Sequence, residues 1–198
     1  MPDQYFEAEP SVASDRREVR LVLPDLTLDL CTDTGVFSKD EIDPGSKLLL
    51  LEAPPPSTSG HLLDLGCGYG TLALPMALRA GPTVTVWAID VNQRAVALCD
   101  ENARRNGIDN VRCAAPDSVP SDVRFATIWS NPPIRIGKPA LHDLLRTWLP
   151  RLDVGGEAVL VVHKHLGSDS LAAWLTQEGW SVDRLTSRMG YRILSVTR

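Results

Sequence analysis

Two groups of residues in this sequence have types and spacings that could do chemistry, and each directly follows an apolar run. The first is DLGCGYGT, in which Gly66, Gly68 and Gly70 follow the residues HLLDL. The second is SNPPI, in which Asn131 and two prolines follow FATIW. A glycine-rich turn lets a ligand approach the backbone without a Cβ in the way. An asparagine before two prolines offers carbonyl acceptors with few N–H groups beside them.

The glycine loop predicts a nucleoside-type ligand when it is combined with the acids that follow it. Asp90 ends the apolar run VTVWAID, where a carboxylate can accept hydrogen bonds from ribose hydroxyls. Asp64 lies just before the loop, and Asp117 follows the third strand, where it could accept a hydrogen bond from an adenine amino group. Thr71 stands where a dinucleotide-binding loop has its third glycine, which disfavours an NAD-dependent reductase. Taken singly, the loop could equally be a tight turn.

The residues SNPPI place two hydrogen-bond acceptors in a rigid turn, an arrangement that could hold an amino group. The side-chain carbonyl of Asn131 and the backbone carbonyl of Pro132 are two acceptors, and the fixed φ angles of Pro132 and Pro133 hold them still. An aryl amine is a weak nucleophile because its lone pair is delocalised into the ring. Two acceptors on its N–H bonds favour a pyramidal nitrogen whose lone pair can attack. Most of the rate would then come from positioning, although an NPP sequence alone is usually a structural turn.

The elements that must position these residues alternate between strand and helix. Residues 17–32 alternate apolar and polar positions on both sides of a turn and predict a β-hairpin. Ser38 is predicted to begin a helix, with a break at Pro44 before a second one. Further strands are predicted at residues 61–65, 84–90, 111–114, 124–129, 157–163, 180–186 and 192–197. Helices are predicted at residues 71–80, 92–107, 140–152 and 169–179.

This alternation predicts an α/β fold with a Rossmann-like, doubly wound sheet of seven strands. The sheet is expected to be mostly parallel, with an antiparallel C-terminal hairpin, and to be preceded by a small N-terminal segment of β-hairpin and helix. We divide the chain into a flexible arm at residues 1–16, the N-terminal hairpin and helices at 17–53, and a main domain at 61–198.

Composition excludes several classes of function. The chain has 198 residues with a net charge of −5, so it has no global basic field for coating nucleic acid. No signal core and no membrane span are visible, and the four cysteines are scattered, so we expect a cytoplasmic protein with buried thiols. His163 and His165 lack a third ligand at suitable spacing, and no metal site is expected.

These motifs together resemble class I S-adenosylmethionine-dependent methyltransferases. DLGCGYG is similar to their first motif, Asp90 to their ribose-binding acid, and SNPPI to the (N/D/S)PP(Y/F/W) motif of enzymes that methylate amino groups of bases or glutamine amides. TDTGVFSKDEIDPGSKLLLLEA and GGEAVLVVHKHLGSDSLAAWL narrow the resemblance to ribosomal RNA guanine-N2 methyltransferases of the small methyltransferase domain family. The likeness covers about residues 5–198 and is closest to the short, single-domain members.

The resemblance implies a site and a cofactor, S-adenosyl-L-methionine. The implied catalytic residues are Asn131, Pro132 and Pro133. The implied cofactor-binding residues are Asp64, Gly66, Cys67, Gly68, Gly70, Asp90, Val91, Asp117, Asn131 and Phe37. The implied substrate-binding residues are Ile134, Arg135, Lys138, Lys39 and Lys164. Ile134 stands where the family has an aromatic residue that stacks on the target base.

The resemblance also implies an RNA partner, ribosomal RNA or a ribosomal particle, and no membrane. Three alternatives to guanine methylation stay open: methylation of an adenine amino group, methylation of a protein glutamine, and a non-catalytic role as the cofactor-binding partner of an RNA-modifying complex. The oligomeric state, monomer or homodimer, is open as well.

Overall fold

The computed structural model describes residues 8–198, which form a small N-terminal segment and a sheet with helices on both faces. The N-terminal segment contains β1 (Arg17–Val22), β2 (Thr27–Thr32) and α1 (Pro44–Glu52). The elements that follow are β3 (His61–Leu65), α2 (Ala73–Ala80), β4 (Thr85–Ile89), α3 (Gln93–Arg105), β5 (Val111–Ala114), β6 (Phe125–Ser130), α4 (Lys138–Trp148), β7 (Leu152–His163), α5 (Ser168–Gln177), β8 (Ser181–Arg188) and β9 (Tyr191–Thr197). Among residues 8–198, no helix has the length and apolarity needed to cross a bilayer.

The seven-stranded sheet has the order β5-β4-β3-β6-β7-β9-β8; β9 pairs antiparallel with β7 and β8, and the other pairs are parallel. Strands β8 and β9 are joined by a two-residue turn, Met189 and Gly190, so the predicted C-terminal hairpin is confirmed. The two-stranded sheet β1-β2 confirms the N-terminal hairpin. The predicted doubly wound, mostly parallel α/β fold is therefore confirmed.

The strand order reverses beside β3. From β3 the chain moves outward to β4 and β5, and then returns to β6 on the other side of β3. Connections that leave neighbouring parallel strands in opposite directions open a crevice at the carboxyl ends of those strands, which is where such folds bind ligands. The glycine loop follows β3, Asp90 follows β4 and Asn131 follows β6.

Two apolar layers hold the helices against the sheet. Because side chains alternate along a strand, Leu62 of β3 faces the layer that holds α1, α2 and α3, whereas Leu63 faces the layer that holds α4 and α5. The N-terminal hairpin packs on the first layer. Asn102 of α3 fixes it there: its side chain accepts from the N–H of Cys31 at 2.7 Å and donates to the carbonyls of Cys31 and Tyr69.

Two predicted helices differ from the observed ones. No helix begins at Ser38, which has a left-handed φ of 54°; α1 begins later because Asp43 accepts from the N–H of Ser46 and Pro44 occupies the first turn. The helix predicted at residues 140–152 ends at Trp148, since Pro150 has no N–H for a further helical bond. The chain then enters β7 earlier than predicted.

The described part of the predicted N-terminal arm contacts the domain. The guanidinium of Arg94 donates to the carbonyls of Pro10 and Val12, and the hydroxyl of Ser14 donates to Asp33 at 2.6 Å. Residues 1–7 of that arm lie outside the described residues. The division of the chain at residues 16, 53 and 61 stays a prediction.

Substituting Gly70 should destabilise the protein more than substituting Gly107. Both have positive φ, 99° and 66°, but a Cβ on Gly70 would collide with Leu74 and lie 3.0 Å from Cys99 Sγ, whereas a Cβ on Gly107 would meet open space. We expect Gly107→Ala to lower the free energy of unfolding by about 1–2 kcal/mol, and Gly70→Ala by about 1–3 kcal/mol more. Chemical denaturation measures both. Equal losses would contradict the close packing of the loop against α3.

Candidate active site

A cavity of about 500 Å³ opens at the carboxyl edge of the sheet, where the strand order reverses. Both chemical motifs line this one cavity. The predicted site residues on its wall are Gly66, Cys67 and Gly68 after β3, Asp90 and Val91 after β4, the five residues from Asn131 to Arg135 after β6, and Phe37 from the N-terminal segment.

The glycine loop presents open backbone to the cavity. Gly66 and Gly68 have φ of 81° and 53°, and a Cβ built on either residue meets nothing within 4 Å. The backbone N–H groups of Gly66 and Cys67 both donate to the carbonyl of Ile89 at 2.9 Å, which fixes the turn to the end of β4. The loop therefore leaves room for a ligand beside its backbone. Gly70 is buried against α2 and α3 and does not line the cavity.

Asp90 is held in place by the backbone on both sides. One carboxylate oxygen accepts from the N–H of Gly68 and the other from the N–H of Asn92, each at 2.9 Å. Each oxygen keeps lone pairs for a further donor. Burial raises the pKa of Asp90, and the hydrogen bonds from Asn92 and Gly68 oppose that rise. The carboxyl is thus fixed in orientation and available to hydroxyl donors in the cavity.

Asp64 lies at the end of β3, fully buried beneath the loop. Its two carboxyl oxygens make no hydrogen bond with any described residue. Burial raises the pKa of Asp64 to about 8, the charge of Asp90 adds to the rise, and the nearby N–H of Ala73 opposes it. Burying a carboxyl without a hydrogen-bond partner costs free energy. Asp64 therefore marks a place where the protein without its ligand lacks a polar partner.

The residues SNPPI form a compact turn at the end of β6. The hydroxyl of Ser130 donates to the carbonyl of Leu65 at 2.6 Å and ties this turn to the start of the glycine loop. The carbonyl of Pro132 accepts from the N–H of Ile134 at 2.8 Å around Pro133, whose φ of −74° and ψ of 72° make an inverse γ-turn. The second proline therefore closes the turn, and the Pro132 carbonyl retains one lone pair.

The side chain of Asn131 is anchored to the N-terminal segment. Its amide nitrogen Nδ2 donates to Asp43 Oδ2 at 2.8 Å and to Ser46 Oγ at 2.9 Å. Asp43 is the N-cap of α1, Ser46 lies in its first turn, and both line the cavity. The segment that precedes the sheet in sequence therefore contributes to the site.

Phe37 and Ser38 cover one side of the cavity, and hydrogen bonds hold the segment around them. The hydroxyl of Tyr69, in the glycine loop, lies 3.3 Å from the carbonyl of Ser38 and 3.4 Å from that of Glu41. The side chain of Asn92 donates to the carbonyl of Gly35 at 2.7 Å. Burial raises the pKa of Tyr69 to about 12, so its hydroxyl keeps the donated proton at neutral pH. The cover is thus fixed to the loop and to α3.

Aromatic side chains form another wall. The rings of His163 and Tyr191 meet edge to face with centroids 4.9 Å apart, and His165 lies 5.5 Å from His163. All three line the cavity. Residues 8–198 hold no cluster of three His, Cys, Asp or Glu side chains suited to a metal ion.

Several predicted site residues lie away from the cavity wall. Asp117 is exposed in a short helical turn whose neighbour Pro116 lines the cavity. Four further predicted residues do not line the cavity: Asp64, Lys39, Lys138 and Lys164. The lining residues to which sequence reasoning assigned no site role include Asp43, Ser46, Tyr69, His163 and Tyr191. Only the DPGS sequence at the start of α1 carried a local signal, that of a helix N-terminus.

Comparison with known proteins is consistent with this arrangement. The Bacillus subtilis (strain 168) protein YbxB, described as uncharacterized, is 36% identical over 201 residues and matches all of both chains. The ribosomal RNA small subunit methyltransferase C of Shewanella amazonensis is 31% identical over 77% of this chain, which spans 46% of that protein. The chain thus spans about half the length of these ribosomal RNA methyltransferases.

Solved structures show the same fold. The Thermus thermophilus 16S rRNA N2 G1207 methyltransferase RsmC, in complex with AdoMet and guanosine, superposes with a TM-score of 0.79 at 24% identity. The superposition covers 96% of this chain and 52% of that one. At this identity the likeness supports the fold.

The sequence model of the methyltransferase small domain matches residues 27–195, most of the chain. This match includes both motifs that line the cavity, and it confirms the predicted family and enzyme class. The chain therefore belongs to the methyltransferase small domain family and is a methyltransferase.

Proposed function

We propose that this protein transfers a methyl group to the exocyclic amino nitrogen N2 of a guanine in ribosomal RNA. The observation that carries the proposal is that one cavity is lined by both the glycine loop with Asp90 and the acceptor residues Asn131 and Pro132. A cofactor held by the first group and an amino nitrogen held by the second would meet inside that cavity.

The residues of the first group fit S-adenosylmethionine. Open space at Gly66 and Gly68 leaves room beside the backbone, and Asp90 is oriented to accept from two ribose hydroxyls. Asp64 is fully buried and does not line the cavity, so its carboxyl would act on the cofactor's positive amino group through charge from within the protein. Phe37 and Val91, both exposed at the cavity, offer apolar contact to the adenine. When bound, the cofactor supplies a methyl group on a positively charged sulfur.

The residues of the second group would prepare the amine. The carbonyls of Asn131 and Pro132 accept from its two N–H bonds, which leaves the lone pair directed at the methyl carbon. The cofactor would supply the methyl group to that lone pair, and the surplus proton on the nitrogen would pass to water. No strong base is needed, because the sulfonium charge is lost in the step. The chain's contribution is mainly orientation.

The choice of guanine in ribosomal RNA is supported by the relatives. A ribosomal RNA methyltransferase is 31% identical to this chain, and the Thermus thermophilus RsmC is a methyltransferase of N2 of a guanine in 16S rRNA. Arg135 lines the cavity, and Lys138 and Lys164 are exposed near its mouth, where they could contact RNA phosphates. Action on ribosomal RNA would place the protein in the cytoplasm.

Ile134 lies in the cavity wall without a ring to stack on the base. We infer that His163, His165 and Tyr191 supply the aromatic surface instead, because they line the same cavity. Stacking of this kind is worth about 1–3 kcal/mol per base.

The proposed function is tested by mass spectrometry of nucleosides. Ribosomal RNA without protein, and separately purified ribosomal subunits, are incubated with the protein and S-adenosylmethionine bearing a labelled methyl group. We expect labelled N2-methylguanosine, and we expect Asn131→Ala to lower its rate at least a hundredfold, comparable to loss of one catalytic hydrogen-bonding group. If the label appears in N6-methyladenosine or in protein glutamine, the methyl acceptor is an adenine or a glutamine and not a guanine. Absence of label from every fraction would contradict the proposal.

Asp64→Asn should stabilise the cofactor-free protein at high pH. The raised pKa of Asp64, about 8, means that the folded protein binds this proton more tightly than the unfolded chain. Its stabilising contribution is complete below about pH 4 and is lost as pH rises towards 8. Asparagine cannot ionise, so we expect the variant to exceed wild type at pH 8 by more than about 1.4 kcal/mol, with a smaller difference at pH 5.

Denaturation with guanidinium at pH 5 and pH 8 measures this difference. A difference that does not change with pH would contradict a buried proton on Asp64. Calorimetric titration of the same variant with S-adenosylmethionine checks the cofactor role: weaker binding supports it, and unchanged binding would limit Asp64 to supporting the loop.

A further inference from the structure

We propose that Asp43 and Ser46 are positioning residues for the methyl transfer, because they fix which end of the Asn131 amide faces the substrate. The inference rests on the proposed function and deepens it, since it identifies what makes Asn131 an acceptor. Neither residue touches the reacting amine in this scheme. Both act through the side chain of Asn131.

An asparagine amide needs such an anchor. Its oxygen accepts hydrogen bonds, its nitrogen donates them, and rotation of the amide by 180° exchanges the two with little change in shape. With the oxygen towards the cavity, Asn131 accepts from an amino group. With the nitrogen there, two donors would face each other and the amine could not be held. The catalytic value of Asn131 therefore depends on one of two orientations.

The contacts of Asn131 select the productive orientation. A carboxylate has only acceptor atoms, so the group that lies 2.8 Å from Asp43 Oδ2 must be the amide nitrogen. The second hydrogen bond of that nitrogen ends on Ser46 Oγ at 2.9 Å. Both protons of Nδ2 are thus directed to α1, and the carbonyl oxygen is left for the cavity.

The anchor is itself rigid. The oxygen of Asp43 that accepts from Asn131 also accepts from the backbone N–H of Ser46 at 2.7 Å, which caps α1. Ser46 is buried, with 5% of its surface exposed, and Leu49 behind it is fully buried. The start of α1 is therefore packed into the core, and it carries the orientation of Asn131 with it.

Asp43 has a second role as a helix cap, so the test must separate the two roles. Asp43→Ser keeps a good cap for α1 but is too short to reach Asn131. Asp43→Asn keeps an oxygen that can accept from both Ser46 and Asn131, and it is the conservative control. Ser46→Ala removes the other acceptor and leaves the cap on Asp43. Thermal unfolding by circular dichroism verifies that each variant is folded.

The kinetic measurement is methyl transfer to ribosomal RNA under single turnover and at steady state. We expect Asp43→Ser to lower kcat about tenfold to a hundredfold, the range for loss of a hydrogen bond to a charged group, while KM for S-adenosylmethionine changes less than threefold. Ser46→Ala should lower kcat about threefold to tenfold. Asp43→Asn should retain more activity than Asp43→Ser. A kcat for Asp43→Ser within twofold of wild type would overturn the proposal.

A second measurement does not depend on activity. The side-chain NH₂ signals of Asn131 are assigned by nuclear magnetic resonance from their absence in Asn131→Ala, and their hydrogen exchange is followed. We expect slow exchange in wild type and at least tenfold faster exchange in Asp43→Ser. Equal exchange rates in wild type and Asp43→Ser would overturn the proposal that Asp43 orients Asn131, even if the enzyme is active. If wild type transfers no methyl group, the proposed function fails, and the exchange rates still decide whether Asp43 orients Asn131.

Discussion

The reversal of strand order beside β3 is the constraint on which the site depends. It brings the ends of β3, β4 and β6 to one edge and sends their connections apart, so a cavity forms between the glycine loop and the residues SNPPI. The carboxyl edge alone does not complete the site. Asp43, from the N-terminal segment, joins α1 to Asn131 across 88 residues of sequence, and Tyr69 holds residues 38–41 over the loop.

Two fully buried polar side chains, Asn102 and Asp64, differ in how well their hydrogen-bonding groups are satisfied. Asn102, which is fully buried, uses both ends of its amide in hydrogen bonds to β2 and the glycine loop. Asp64 is also fully buried but has no hydrogen-bond partner among residues 8–198, and its pKa is raised to about 8. Buried polar groups normally find partners. Asn102 stabilises the fold through its hydrogen bonds, whereas we propose that the cofactor provides the positive group that Asp64 lacks.

The sequence predicted the parts of the site that depend on local pattern and topology. Glycines after β3, an acid after β4 and an asparagine after β6 must meet at one edge once the strands are parallel, and the cavity contains all three groups. The pattern could not reveal that Gly70 packs against Cys99 and not the cavity, because both roles require a glycine with positive φ. It also placed a helix start at Ser38, where the stronger cap at Asp43 determines the start of α1.

The sequence did not predict the contacts between residues that lie far apart along the chain. Nothing local indicates that Asp43 accepts from Asn131, that Tyr69 holds residues 38–41, or that His163 and Tyr191 form a wall of the cavity. The three lysines predicted to bind substrate lie outside the cavity wall, since charge alone does not determine on which side of a turn a side chain lies. The predicted oligomeric alternatives stay open for the same reason: the apolar pattern does not separate a core from an interface.

The most direct test of the central claim is a crystal structure of the protein with S-adenosylhomocysteine and guanosine. The account predicts that the guanine N2 lies about 3 Å from both the side-chain oxygen of Asn131 and the carbonyl of Pro132, a normal hydrogen-bond distance. It also predicts that the ribose hydroxyls of the cofactor product bind Asp90. A guanine bound with its amino group away from Asn131, or an Asn131 nitrogen turned into the cavity, would contradict it.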